Sequence, residues 1–129
     1  MRTDDDIETI VTRPVVMVDS QASLRDAARL LTDEGIGVAI VRGHHPPVLV
    51  SERDIVHALA EGARPDLDHV DEVMNGDIAA AGPHDSIRAV GRIMLDNEVR
   101  HVPIVAEGAV VRVVSEREVL RALLDGADS

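Results

Sequence analysis

The 129-residue chain has no cysteine, no phenylalanine, tyrosine or tryptophan, and no lysine. Without cysteine there is no disulfide framework, no thiolate nucleophile and no thiolate metal site. Without aromatics the core must be built from Val, Ile, Leu, Ala and Met, and the stacking platforms that hold single-stranded nucleic acids are missing. All 13 basic residues are arginine, which excludes Schiff-base and phosphate-loop lysine chemistry. Positive charge is scarce: 24 acidic residues leave a net charge of −11. Such a surface repels phosphate backbones, so no nucleic-acid partner is expected. No apolar run approaches the ~20 residues of a membrane span, so no membrane role is expected either. The opening Met1-Arg2-Thr3-Asp4-Asp5-Asp6 is acidic where a secretory signal is basic and then apolar, which points to a cytoplasmic location.

Apolar residues make up 45% of the chain, enough for a real core. They are arranged in a repeat. Ser51-Glu52-Arg53-Asp54-Ile55-Val56-His57-Ala58-Leu59 lies 64 residues before Ser115-Glu116-Arg117-Glu118-Val119-Leu120-Arg121-Ala122-Leu123, with five of nine positions identical. Upstream the offset is 63, and Leu24, Ala27, Ala28 and Leu31 correspond to Ile87, Val90, Gly91 and Met94. Both sets follow the i, i+3, i+4, i+7 spacing of one apolar helix face. One extra residue in the second half's hairpin turn accounts for the change of offset.

Each half reads as β-α-β-β-α, so the fold class is α+β. A short strand (15–18; 78–81) leads to a helix capped by Ser23 or Ser86. The first of these helices ends at Gly35, a favoured left-handed stop. Two strand-like runs follow (37–41 with 48–50; 101–105 with 109–114), joined by the turn residues Gly43-His44-His45-Pro46-Pro47 and Ala106-Glu107-Gly108. A last helix opens at Ser51 or Ser115. The stretch 4–11 reads as a short helix and 62–68 as a linker. The first repeat with its N-terminal helix thus spans 1–64 and the second 65–129. One half alone, with a three-stranded sheet, would be marginal. Two copies packing sheet to sheet about a pseudo-two-fold would bury what each exposes, and the groove between them is the natural ligand cleft.

At the duplicated junction, Ser-x-x-Asp and Ser-x-x-Glu suit a capping box, in which the serine oxygen and the acid satisfy first-turn N–H groups. The same geometry suits a ligand. A helix N-terminus favours an anion, a carboxylate there can accept ribose hydroxyls, and the adjacent arginine can pair with a phosphate. The two roles are compatible, because a carboxylate has two oxygens.

These junctions, together with Val99-Arg100-His101-Val102-Pro103-Ile104-Val105 and its counterpart Ile36-Gly37-Val38-Ala39-Ile40-Val41, resemble a tandem cystathionine-beta-synthase (CBS) domain pair, or Bateman module, over about residues 7–124. The resemblance implies a regulatory binding module and not an enzyme. It requires no cofactor and takes an adenosine-containing regulatory ligand: AMP, ADP, ATP or S-adenosylmethionine. By position, Asp54 and Glu118 would bind ribose hydroxyls, with Ser51 and Ser115 beside the ribose or phosphate. Thr12 and Asn75 would touch the nucleotide, and Val38, Ala39, His101 and Val102 would wall the base. Arg53, Arg117 and Arg100 would be phosphate candidates. The family's glycine three residues before the junction serine is replaced by Val48 and Arg112, and Glu118 is one methylene longer than the usual Asp, so the first-half site keeps more of the pattern. The resemblance further implies a disc-like homodimer through helices and an unidentified protein target. The alternative reading is a ligand-free dimeric scaffold or a stress-associated interaction module.

Other constellations are weaker. His44-His45 sits in a Pro-flanked turn where neighbouring side chains do not converge on one ion, and no His-x-x-x-His spacing pairs histidines on a helix. His57 and His69 have no ligand partners nearby in sequence. No Gly-x-Ser-x-Gly elbow supports a hydrolase. Met17, Met74 and Met94 fall in apolar patterns and read as core.

Overall fold

The computed structural model describes residues 4–11 and 13–127. They form two compact units, one spanning Val16–Ile78 and the other made of the remaining described residues, 4–11, 13–15 and 79–127.

In the unit of residues 16–78, β1 (Met17–Val18) runs parallel to β2 (Val38–Val41), which pairs antiparallel with β3 (Val48–Ser51). Between β1 and β2 lies α1 (Leu24–Glu34), and α2 (Glu52–Ala60) follows β3 directly. Helix α1 begins where Ser23 Oγ accepts the Asp26 N–H at 3.0 Å and ends at Gly35, whose φ of 64° is the left-handed stop expected there. Its apolar face buries Leu24, Ala27 and Leu31, and the last two complete a core with Val18, Ala39, Val41, Val50, Ile55 and Val70. Each such aliphatic side chain contributes about 1.5–3 kcal/mol when fully buried. A 3-10 turn, Val70–Glu72, closes the unit: the Val70 N–H donates to the Ala22 carbonyl and the Leu24 N–H to the Asp68 carbonyl.

The other unit contains α3 (Ile87–Asn97), β4 (His101–Ala106), β5 (Ala109–Ser115) and α4 (Glu116–Ala127). Ser86 Oγ caps α3 by accepting the Ala89 N–H at 3.0 Å. Ile87, Val90 and Met94 pack with Ala81, Val102, Ile104, Val114, Val119 and Ala122. The hairpin closes through Glu107 and Gly108, both at positive φ, as a two-residue turn that matches strand twist requires.

Several details differ from the sequence reading. The stretch 4–11 forms only a 3-10 turn, Ile7–Thr9, because so short a segment cannot repay helix nucleation; Ile7, with no exposed surface, anchors it. That turn packs in the unit of residues 79–129: the Ile7 N–H donates to the Asp85 carbonyl at 2.7 Å and the Ile87 N–H to the Asp5 carbonyl at 3.0 Å. The 63-residue offset maps these bonds onto those of Val70 and Leu24. Each unit is thus completed by the turn that precedes the other repeat in sequence, and the compact units do not divide at 64/65. For the same reason 62–68 is folded, with the Arg25 N–H on the Pro65 carbonyl at 2.9 Å.

The strand expected at 78–81 is a single bridge between Ala81 and Ile104, so the second sheet has two strands. In the first repeat the Ile40 and Arg42 N–H groups donate to the Val16 and Val18 carbonyls. In the second, Val105 donates to Ala81, but Pro103 stands where Ile40 stands and has no N–H to give. The extra residue of the second repeat is also not in the turn. Ile104 pairs with Arg112 and Val105 with Val110, so Val111 is a bulge in β5.

Candidate functional site

Both strand-to-helix junctions are capping boxes. At the first, Ser51 Oγ accepts the Asp54 N–H at 3.0 Å while Asp54 Oδ2 accepts the Ser51 N–H at 2.9 Å. At the second, Ser115 Oγ accepts the Glu118 N–H at 3.1 Å, and Glu118 Oε1 accepts both the Ser115 N–H at 2.9 Å and the Ser115 hydroxyl at 3.0 Å. The first N–H of each helix is also taken, Glu52 by the Gly37 carbonyl and Glu116 by the Arg100 carbonyl. Two first-turn donors are therefore used internally at each junction. The same capping bonds fix the orientation of the Asp54 and Glu118 carboxylates. The longer Glu118 turns one oxygen onto two Ser115 donors, whereas Asp54 Oδ2 serves one.

The structure gathers the remaining candidates around these junctions within each unit. In the first repeat, Val38 is the register partner of Ser51, Ala39 pairs with Val50, and Arg53 lies exposed on the first turn of α2. Asn75 bridges to Leu49 through paired backbone bonds of 2.9 and 2.7 Å, and its Oδ1 accepts the Asp77 N–H at 2.9 Å. In the second repeat, His101 is the register partner of Ser115, Val102 pairs with Val114, and Arg100 and Arg117 are exposed. Thr12 lies outside the described residues. The Ala39 and Val102 side chains are absorbed by the cores of their units, which leaves their backbones as the groups they can offer. Val48, at the position of the family's glycine, packs at the edge of the core, and Arg112 turns Nη1 onto the Val111 carbonyl at 2.7 Å.

Sequence reasoning missed one constellation. His84 Nδ1 lies 2.9 Å from Asp6 Oδ2 and 3.7 Å from Glu8 Oε1, and its pKa is raised above 6.5 by the hydrogen bond to Asp6 and then by the neighbouring charges of Glu8 and Asp6. The signal that could have found it is the 63-residue offset. Extended upstream it aligns Ile7 with Val70 and brings Asp6 and Glu8 to the turn before α3.

A family model for the CBS domain matches the chain twice, over residues 6–61 and 70–125. An uncharacterized 17.7 kDa protein of Acidianus ambivalens is 30% identical over 123 residues, covering 92% of this chain and 73% of that protein. An uncharacterized conserved protein from Pyrococcus horikoshii has a similar structure, with a TM-score of 0.86 at 22% identity over 95% of each chain. The CBS domain pair of protein MJ0100, solved in complex with 5′-methylthioadenosine and S-adenosyl-L-methionine, gives 0.81 at 21% identity over 92% of this chain and 98% of its own. At these identities the two structures speak to the fold. Among the described residues no helix is long and apolar enough to cross a membrane.

Proposed function

Because the chain belongs to the CBS-domain family, whose tandem pairs are generally regulatory modules, we propose that it is a sensor of an adenosine-containing nucleotide, AMP best, held at the Ser-x-x-acid junctions. The observation that carries this reading is the fixed carboxylate of Asp54. One oxygen is engaged by the Ser51 N–H at 2.9 Å, and this reading assigns the second to a ligand's ribose hydroxyls. Support of a general kind comes from the MJ0100 pair, a protein of the same fold that takes adenosine compounds. A chain of net charge −11 tolerates a monophosphate better than a triphosphate, and Arg53 is the residue that meets it. The first-repeat junction is the stronger site, since it keeps the family's Asp where the second repeat has the longer Glu118. The protein needs no cofactor, catalyses nothing, acts in the cytoplasm, and signals to a protein target by the conformation the ligand prefers.

A second reading is favoured by a specific observation. Helix α2 exposes Val56 and Leu59, and α4 exposes Leu120, Leu123 and Leu124. Apolar positions like these suit a homodimer or scaffold that works without any ligand.

Thermal-shift and equilibrium-binding series with AMP, ADP, ATP and S-adenosylmethionine decide between them. A ligand at a hundred times its Kd stabilises by about 2.7 kcal/mol, a shift that is easily read. Asp54→Asn should weaken AMP binding roughly tenfold or more while the melting temperature stays near wild type, since removing a charge-assisted bond costs about 1.5–3 kcal/mol of affinity. Glu118→Gln should have a smaller effect. No shift with any of the four on a folded dimer overturns the sensor and leaves the scaffold.

A further inference from the structure

We propose that Asp6, Glu8 and His84 form a binding site for one divalent transition-metal ion of the zinc type, separate from the nucleotide junctions. The three side chains offer two carboxylate oxygens and an imidazole Nδ1, all within 4.8 Å of one another. A zinc ion holds such donors at about 2.0–2.1 Å, which at tetrahedral angles sets them about 3.3 Å apart. The observed His84 separations of 2.9 Å from Asp6 and 3.7 Å from Glu8 bracket that spacing. Two oxygens and one borderline nitrogen favour zinc, cobalt, nickel or manganese over the softer copper(I), and magnesium prefers oxygen alone. The two carboxylates also match the ion's charge of +2. Three protein donors leave positions open for water.

Two features separate this cluster from an ordinary acidic surface. The first is that its backbone is already fixed. The donors come from two chain segments tied by the Ile7 N–H to the Asp85 carbonyl at 2.7 Å and the Glu8 N–H to the Pro83 carbonyl at 3.3 Å. The imidazole Nδ1 faces both carboxylates although the side chain is 78% exposed and had solvent to turn to. Only Glu8, itself half exposed, has to swing to complete the set.

The second feature is the contrast inside the molecule. The offset of 63 carries Asp6 to His69, Glu8 to Asp71 and His84 to Gln21. There the Gln21 amide donates to Asp71 Oδ2 at 2.9 Å, so an amide, a poor zinc ligand, stands where His84 supplies an imidazole. The same corner is thus built as an amide–carboxylate bond in one repeat and as an imidazole–dicarboxylate set in the other. A bound ion would clip the first 3-10 turn to the start of α3 and stabilise that unit.

Calorimetric titration of chelator-treated protein with zinc chloride, and separately with manganese and magnesium chlorides, tests the site. One zinc ion per chain should bind, magnesium should not compete, and His84→Ala and Glu8→Gln should each weaken zinc binding about tenfold or more. Both residues are exposed, so the variants should keep the wild-type circular dichroism. Binding of zinc should also move the His84 imidazole nitrogen resonances directly. The double variant His44→Ala, His45→Ala should bind zinc as the wild type does. The proposal is overturned if wild type takes up no zinc at millimolar concentration, if either cluster variant binds it unchanged, or if the loss falls on the His44-His45 variant instead.

Discussion

The two units start from one repeated plan and differ where a single residue changes a backbone group. In the first, Ile40 donates to Val16 and a third strand forms; in the second, Pro103 has no proton and the strand shrinks to the Ala81 bridge. Helix α1 stops at Gly35 with φ 64°, while α3 stops at the equivalent Glu98 with φ 54°, a left-handed conformation that costs an L side chain more than glycine. The side-chain pattern behaves differently. Leu24, Ala27 and Leu31 are buried in one unit, and Ile87, Val90 and Met94 in the other. Core positions therefore fix the topology and tolerate changes of size, whereas backbone donors decide how far each element extends.

The largest effect that could break this comparison lies at the two 3-10 turns. Ile7 and Val70 occupy equivalent positions and both have no exposed surface. Ile7→Ala should cost about 2–5 kcal/mol, the range for truncating a buried isoleucine, and Val70→Ala should cost less because one methylene fewer is lost. Urea denaturation measures both. If Ile7→Ala changes stability by less than about 0.5 kcal/mol, a size typical of surface substitutions, the first turn is not an integral part of its unit.

How much of this was legible follows from the range over which each feature is encoded. The caps at Ser23, Ser86, Ser51 and Ser115 and the stop at Gly35 are local, and their residues announce them. The helix faces are periodic over eight residues and were equally plain. The exchange of 3-10 turns was hidden because Ile7 stands among acids, and the partners of its turn, Asp85 for Ile7 and Ile87 for Asp5, lie far along the chain. The Asp6–His84 contact spans 78 residues, so no local spacing reports it. The Val111 bulge depends on register, which the residue count alone does not reveal. The Ser51–Asp54 pair was readable as a cap, and one motif encodes both cap and ligand contact, so the sequence could not assign the role.

A smaller effect sharpens the contrast between the sheets. Pro103→Val restores the missing N–H at a fully buried position with a side chain of similar size. The new amide should donate toward residue 79 as Ile40 donates to Val16, and should exchange with solvent slowly in hydrogen-exchange NMR. The stability change should stay near the 0.5–1.5 kcal/mol or so of one hydrogen bond. Fast exchange at residue 103 in a folded variant would mean that something other than the missing donor interrupts the strand.

The smallest effects concern pH, and they should run in opposite directions in the two units. In the unit of residues 16–78, the hydrogen bond from Arg25 lowers the Asp66 pKa below 3.8, and the Arg64 backbone N–H, at 2.6 Å, lowers that of Asp68. Their folded values are depressed, so what they contribute is present above about 3.8 and is lost as pH falls through the lower folded values. In the other unit His84 is raised above 6.5, first by its bond to Asp6 and then by the charge of Glu8. Its contribution is therefore complete below about 6.5 and is lost as pH rises through the folded value. Asp66 and His84 are exposed and Asp68 partly so, and solvent screens such pairs, so the effect is better read by titration than by unfolding. In chelator-treated protein the His84 ring resonances should show a midpoint above 6.5, and Asp68 should titrate below 3.8. Asp6→Asn should bring His84 back toward 6.5 and leave Asp68 unmoved. A His84 midpoint at or below 6.5 in the wild type would mean that the imidazole does not face the two carboxylates in solution, and the contrast between the corners would vanish with it.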